Sequence, residues 1–484
     1  MNYIDIFKQI CNIPRPSHHE EAVADFLCRF AEERNLDYER DEHNCVVIRK
    51  PASPGYEDRD PIVLLNHTDM VCVADEGYNV PGSVTPIIYN ENDETWMRAD
   101  HTSLGADNGI GLSMALALLD DDTLQHPTLE VLCTACEEDD MSGAANLAPD
   151  FIKGRCVLNL DSENYNEITV GSAGAHIQLA TLPVQRTGMP QGYAAYEVNV
   201  AGGKGGHSGV DIDKTRGNAI KILANLLLVA IRQMNIKLYL VSFEGGQAYS
   251  AIPTEARAKI VLPHEDAETF DVLVSQCNDA LTAQYSATDP ALHVECEPSV
   301  WHSSVMNEES THVFLAAING IPTGVTEWGD GETGKQVVTS NNIGVVKMHH
   351  SVKHPSFVIS THTRSSDYKK MHRLSADISR IFTLVGAKVE TVLDAKPWSE
   401  DISHPFIRKT MEVFQDVVGF RPKPVSMHFV LEAAYLVDKF PGIHIASIGP
   451  LIIGAHSTKE RVNLTTAENI WRITKSIIES SKHF

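Results

Sequence analysis

The chain has 484 residues, too many for one ordinary core, so two domains are expected. Hydrophobic residues at 43% and charged residues at 21% describe a soluble globular protein and exclude a disordered or fibrous one. A formal net charge of -24 argues against a nucleic-acid or anionic-membrane partner, because phosphate binding needs clustered Lys and Arg.

The opening, MNYIDIFKQICNIPRPSHHEE, has no basic region followed by an apolar stretch and a small-residue cleavage site, so no secretory signal is read there. No window of about 18 uninterrupted apolar residues occurs, which argues against a membrane span. A cytoplasmic location is the expectation. The nine cysteines are scattered without framework spacing, which fits reduced thiols. Cys133 and Cys136 form a CxxC inside a strand-like run and read as packed core thiols rather than a zinc or redox motif.

Over the first 180 or so residues, helical and strand patterns alternate, which predicts parallel strands joined by crossover helices. EEAVADFLCRFAEERN has helical periodicity; CVVIRK, PIVLLNH, LEVLCTAC and CVLNLDSE read as short strands; GADNGIGLSMALALLDD reads as a helix with an apolar face. The texture then changes to the Gly- and Pro-rich PVQRTGMPQGYAAYEVNVAGGKGGHSGV, followed by the periodic helix NAIKILANLLLVAIRQM, alternating strands and another helix near 266 to 285. After Lys396 come the helix HPFIRKTMEVFQDVVG, the strand IHIASIGP and a closing helix, AENIWRITKSIIESS. The expected architecture is an α/β catalytic domain with a central, mostly parallel sheet, in two parts (1-183 and 396-484), interrupted by an inserted α+β domain (184-395).

In an open parallel sheet, chemistry collects at the carboxyl ends of the strands. PIVLLNH delivers His67 and Asp69 there; LEVLCTAC delivers Glu137 and Glu138; CVLNL delivers Asp161. IHIASIGP precedes a loop with His456, and Asp107 sits in LGADNG, which opens a helix. So many acids around two histidines are expensive unless cations neutralise them. Imidazole with carboxylate suits zinc, with manganese or cobalt as substitutes. One zinc needs about three protein ligands, so the surplus points to two metals sharing a carboxylate.

HTDMV, LGADNGIG, EED, LDSE, GGKGGHSG, SAIP, SIGP and GAHS, in this order and spacing, resemble the aminoacylhistidine (Xaa-His) dipeptidases of the di-zinc carboxypeptidase and aminopeptidase clan, over nearly the whole chain. The resemblance implies that His67, Asp107 and Asp161 hold one metal and Asp107, Glu138 and His456 the other, with Asp107 bridging. It also implies a cis peptide after Asp107. Asp69 would fix the tautomer of His67. Glu137 would be the general base: adjacent side chains of an extended segment point to opposite sides, so Glu138 faces the metal while Glu137 reaches the water held between the metals. His207, in GGKGGHSG, would act from a lid on an active site, usually the partner subunit's, so a homodimer through the inserted domain is expected.

Arg364, in THTRSSD, matches a lid arginine able to clamp a C-terminal carboxylate. Glu432, in HFVLEAAY, matches the position associated with the substrate's free amino end. The chain departs from the family pattern at Val430 and Ala434, where Gly is preferred, and at Ser250, where many members have Asn. Asp139 and Asp140 match no ligand and read as solvated loop acids. The implied activity is metal-dependent hydrolysis of unblocked dipeptides, Xaa-His dipeptides such as β-alanyl-histidine being the expected substrates. An N-acyl amino acid amidohydrolase on the same centre is the alternative within catalysis, and a noncatalytic peptide-binding homologue is the alternative outside it.

Overall fold

A computed structural model describes residues 2–79, 82–331, 334–351 and 353–483. They fall into two compact units. The first comprises Met1–Gly171, Trp398–Ser426 and Leu431–Phe484, and the second Ser172–Pro397 and Met427–Val430. Among the described residues no helix is long and apolar enough to cross a membrane.

The first unit is built on a nine-stranded sheet. Its centre is parallel, in the order Leu129–Thr134, Ile62–His67, Cys156–Asn159, His444–Ser447. Both margins are antiparallel: the hairpin Asp37–Arg40 and Val46–Lys50 lies against Leu129–Thr134, and Glu167–Ser172 lies beyond His444–Ser447. The parallel core is thus narrower than the alternation of patterns suggests. Ile62–His67 and Leu129–Thr134 are buried along their whole length, as strands covered on both faces must be. The helix Ala106–Leu119 is apolar on all sides and buried from end to end, so it fits only inside a core. Phe7, Leu64, Val131, Leu158, Ile470 and Ile473 belong to that core.

A separate four-stranded sheet of this unit was not foreseen. It pairs the hairpin Ile87–Glu91 and Glu94–Arg98 with Arg461–Asn463 and Ile452–Ile453. Its turn residues, Asn92 and Asp93, both have positive φ, 52° and 64°, the geometry that Asn and Asp tolerate in a two-residue hairpin loop. The signal was therefore in the sequence, as ENDE. This sheet anchors both ends of the loop that carries His456.

The second unit holds another nine-stranded sheet, antiparallel at each register that is defined: Gly174–Pro183 lies between Ser356–Ser365 and Lys388–Ala395, and Gly334–His349 continues it beyond Ser356–Ser365. Helices Ala219–Arg232, Ala267–Tyr285, Glu308–Gly320 and Tyr368–Leu384 supply Leu223, Phe270, Phe314 and Ile378 to one core with the strands. The segment expected as a lid, 184–395, falls inside this unit.

Gly449 follows the strand His444–Ser447, where a Cβ would overlap the backbone carbonyl of Ser162, next to Asp161. Gly449→Ala should therefore destabilise the protein by about 1–3 kcal/mol through overpacking. Denaturant unfolding measures this, and an unchanged midpoint would show that the close approach is not required.

Candidate metal centre and active site

Three parallel strands and two loops of the first unit bring the sequence-derived ligands together. His67 is the last residue of its strand, and its neighbour in register is Thr134, so Glu137 and Glu138 follow at the same edge. Asp161 follows the adjacent strand Cys156–Asn159. Asp107 stands at the start of the buried helix, and the Asp107-Asn108 peptide is cis. His456 lies in the loop between Ile452–Ile453 and Arg461–Asn463.

The donors form two groups that share one residue. His67, Asp107 and Asp161 make the first; Asp107, Glu138 and His456 make the second; in each, one donor atom per residue lies within 4.8 Å of the others. His67 Nε2 is 3.0 Å from Asp107 Oδ1 and 3.3 Å from Asp161 Oδ1. His456 Nε2 is 3.3 Å from Asp107 Oδ2 and 2.8 Å from Glu138 Oε2. The two oxygens of Asp107 are thus divided between the two groups. Asn108 Nδ2 donates to Asp161 Oδ1 at 2.8 Å and orients it.

The electrostatics call for positive charge. Burial raises the carboxyls of Glu137, Glu138 and Asp161. Hydrogen bonds donated by the His456 imidazole to Asp107 and Glu138 push its pKa up to about 11, and on His67 the carboxylates outweigh burial and raise it too. Asp107 is held low because hydrogen bonds from His456 and His67 overcome its burial. Glu138 Oε1 is buried with no hydrogen-bond partner. Histidine and carboxylate donors, an orphaned carboxylate oxygen and a shared acid fit divalent cations.

Asp69 does more than the sequence suggests, and Glu137 and Glu138 are positioned differently. His67 Nδ1 meets the backbone oxygen of Asp69 at 3.1 Å and its carboxylate at 3.5 Å. The Asp69 carboxylate accepts the backbone amides of Glu137 at 3.0 Å and Glu138 at 3.1 Å, and the Ser17 hydroxyl at 2.7 Å. The strand ends at Thr134, and Glu137 and Glu138 lie in a turn, so strand alternation is not what separates their side chains. Asp139 and Asp140 are exposed, and Asp139 pairs with His18 at 2.7 Å. Cys133 and Cys136 are buried and unpaired.

Two buried charged residues were missed. Glu460 Oε2 accepts the amides of Leu104 and Gly105 at 2.7 and 2.8 Å, and Oε1 those of Ala106 and Asp107 at 2.7 and 3.2 Å. Arg15 donates to the carbonyls of Thr68, Asp69 and Gly105 at 2.9, 2.7 and 2.6 Å. Gly105, at φ +71°, leaves room for that guanidinium: a Cβ there would lie 2.6 Å from Nη2. Both residues act on backbone atoms, which a residue-type pattern does not reveal.

Glu432 opens the helix Glu432–Lys439 in the first unit. It is only 3% exposed, its Oε1 has no hydrogen-bond partner, and burial pushes its carboxyl up to about 8. Ala434 is buried in the same helix.

His207 and Arg364 belong to the second unit, together with Ser250 and Val430. His207 Nδ1 accepts the backbone amides of Gly209 and Val210 at 3.3 and 3.2 Å. Burial, then the Arg364 charge, lower its pKa to about 4, so at neutral pH the ring is neutral. With Nδ1 accepting, the proton sits on Nε2, a donor, so the 3.4 Å approach of Arg364 Nη2 to it is a packing contact and not a hydrogen bond. Arg364 is buried beside Ser208 Oγ, His207 Nε2 and His362 Nδ1, none of them a carboxylate, and burial lowers its pKa to about 9. Ser250 contributes its backbone oxygen to the Ser208 amide at 2.6 Å, a bond that any residue there can make.

Residues 191–289 match the peptidase dimerisation domain family. The sequence is 32% identical to the cytosol non-specific dipeptidase of Escherichia coli (strain K12), over 98% of this chain and 96% of that protein. The aminoacylhistidine dipeptidase structure from Vibrio alginolyticus matches with a TM-score of 0.86 and 30% identity, covering 99% of this chain and 96% of that one. Aminopeptidase PepT from Bacillus cereus, with a TM-score of 0.62 and 16% identity over 99% of this chain and 98% of that one, shares the fold. The fold and these comparisons define a peptidase of the M20 type, a hydrolase. Within that class the chain belongs to the aminoacylhistidine dipeptidase family.

Glu460→Ala removes the acceptor of four amides around Asp107 and should weaken divalent-metal affinity about 10- to 100-fold, by the usual effect of losing a group that orients a ligand. Metal titration checks this, with far-UV dichroism to confirm the fold; undiminished affinity in a folded variant would contradict the role.

Proposed function

We propose that the chain is a cytosolic, homodimeric metallodipeptidase that hydrolyses unblocked dipeptides, including Xaa-His substrates such as β-alanyl-histidine. The observation that carries this reading is the division of the Asp107 carboxylate between two His and carboxylate groups. On this reading His67, Asp107 and Asp161 hold one divalent cation and Asp107, Glu138 and His456 a second, zinc first, with manganese or cobalt as substitutes. Such cations polarise a peptide carbonyl and make water acidic enough to lose a proton near neutral pH.

The chain's own groups do the rest. Glu137 takes a proton from the attacking water onto its carboxylate and hands it to the nitrogen of the leaving amine. Asp69 holds both the Glu137 amide and the His67 ring in place. His207 donates from Nε2 to the oxyanion of the tetrahedral centre. Arg364, a buried cation without a carboxylate among its hydrogen-bond partners, binds the C-terminal carboxylate, since an unpaired buried charge is costly. Glu432, with an unpartnered buried oxygen, receives the free amino group. An N-acyl substrate would have no use for that acid, which argues against the amidohydrolase alternative.

The match of residues 191–289 to a dimerisation domain supports a homodimer, with His207 serving the partner's centre. The name of the E. coli relative and nine unpaired cysteines support a cytosolic location. The relatives' names differ, one non-specific and one aminoacylhistidine, so the preference for C-terminal His is the finer part of this proposal.

Turnover of a dipeptide panel, with and without C-terminal His and with free or acylated amino ends, tests the substrate class. Free dipeptides should be cleaved and acylated ones spared; faster turnover of acylated substrates would favour the amidohydrolase. Glu137→Ala should lower kcat at least about a hundredfold with metal content unchanged, as expected for loss of a general base. Mixing inactive His207→Ala and Glu137→Ala chains should restore activity through hybrid dimers. No recovery, with subunit exchange demonstrated, would place His207 in its own chain's centre.

A further inference from the structure

A third group of metal-binding type lies in the second unit, made of residues with no part in the reaction. His176 is on the strand Gly174–Pro183 and Asp394 on the edge strand Lys388–Ala395, where they are direct partners in register. Directly paired residues project from the same face of a sheet. The helix Tyr368–Leu384 packs on both strands and supplies His372 from its second turn. The His176 and His372 rings are 5.1 Å apart at 63°, and His372 Nε2 is 3.1 Å from Asp394 Oδ1. One donor atom of each residue lies within 4.8 Å of the other two.

The buried member is incompletely satisfied. His176 is 5% exposed, its Nδ1 has no hydrogen-bond partner, and its Nε2 reaches only Thr391 Oγ1, at 3.5 Å. A buried polar nitrogen without a partner is costly. Burial also lowers the pKa of this ring, which keeps the lone pair free. Around it the donors are already oriented. Tyr368 donates its hydroxyl to Asp394 Oδ2 at 3.2 Å, leaving Oδ1 to face the histidines, and its ring packs edge-on against His372 at 4.3 Å. Hydrogen-bonded carboxylates and braced imidazoles are the usual surroundings of a metal site.

We infer that His176, His372 and Asp394 form a further cation site, of the two-imidazole, one-carboxylate type that takes zinc. The donor set decides the class of ion: calcium and magnesium require oxygen ligands throughout, whereas imidazole with carboxylate selects zinc and its neighbours. The side chains of His372 and Asp394 are 39% and 34% exposed, so the ion has a path from solvent and water can complete a tetrahedron. Zinc ligands lie about 2.0–2.2 Å from the metal, so a small inward movement of the exposed His372 side chain closes the site. The bound ion would tie the edge strand and its covering helix to the interior strand just before the chain returns to the first unit at Trp398. Its role is stability of the second unit, and it stands whether or not the dipeptidase reading holds.

The test compares the full-length protein with His372→Ala and Asp394→Asn, each equilibrated at the same buffered free zinc. Zinc per chain is measured by elemental mass spectrometry, and thermal unfolding is followed with and without zinc. The unsubstituted chain should hold one zinc more than either variant, and zinc should raise its Tm further than theirs. Dipeptide hydrolysis should stay within about twofold in all three, because no catalytic group is touched. Equal zinc content in the three proteins, with equal stabilisation by zinc, would overturn the site and leave His372, Asp394 and Tyr368 as a hydrogen-bond network. A loss of activity without a difference in zinc content would overturn it equally.

Discussion

The candidate metal centre depends on one carboxylate that must face two ways. Asp107 presents Oδ1 to His67 and Oδ2 to His456, so neither oxygen is free to correct an error in the position of its backbone. The backbone is accordingly fixed from behind. Glu460 gathers the four amides from Leu104 to Asp107, and Arg15 holds the carbonyl of Gly105 together with those of Thr68 and Asp69. Each of these buried charges is answered by backbone dipoles rather than by a counter-ion, and so can sit beside the centre without neutralising its acids. Loops are ordinarily the mobile parts of a fold, and here buried charges tie two of them down through their main-chain atoms.

The second unit shows the complementary situation. Burial lowers the pKa of His207, His362 and His428, and the Arg364 charge lowers all three further. These rings are neutral at neutral pH, and the guanidinium carries the charge of the cluster. Neutral imidazole is also the form in which His207 can keep Nδ1 as an acceptor for Gly209 and Val210 while Nε2 donates. The first unit therefore has buried acids in need of cations, and the second a buried cation in need of an acid.

Residues at the ends of strands were legible in the sequence because a short apolar run and the polar residue after it fix both position and edge. His67, Glu138 and Asp161 are of this kind, and Asp107 and His456 joined them through motif order. Arg15 and Glu460 were not legible, because their partners are main-chain atoms 53 to 90 and 353 to 356 positions away, and any sequence supplies those. Alternation failed at Glu137 and Glu138 because the strand stops at Thr134, and the Asp69 carboxylate, not a pleat, sets the turn. His176 and Asp394 meet through the register of two antiparallel strands far apart in the chain, and a one-residue slip would separate them, so only the fold shows the pair.

A count of charges gives the proposed general base its place among so many acids. On the two-cation reading, Asp107, Glu138 and Asp161 place three negative charges against two divalent cations, a surplus of positive charge. An ionised Glu137 would bring the sum to neutrality, so two bound cations would hold it as a carboxylate despite a burial that otherwise favours its neutral form. Were Glu137 then to accept a proton, the surplus would return just as negative charge developed on the tetrahedral carbon's oxygen. The centre would thus stay balanced before and after the proton moved, because the charge lost at Glu137 would reappear on the reacting carbonyl. Glu460 and Asp69 do not upset this sum, because their charges are already spent on amides: Leu104 to Asp107 for one, Glu137 and Glu138 for the other.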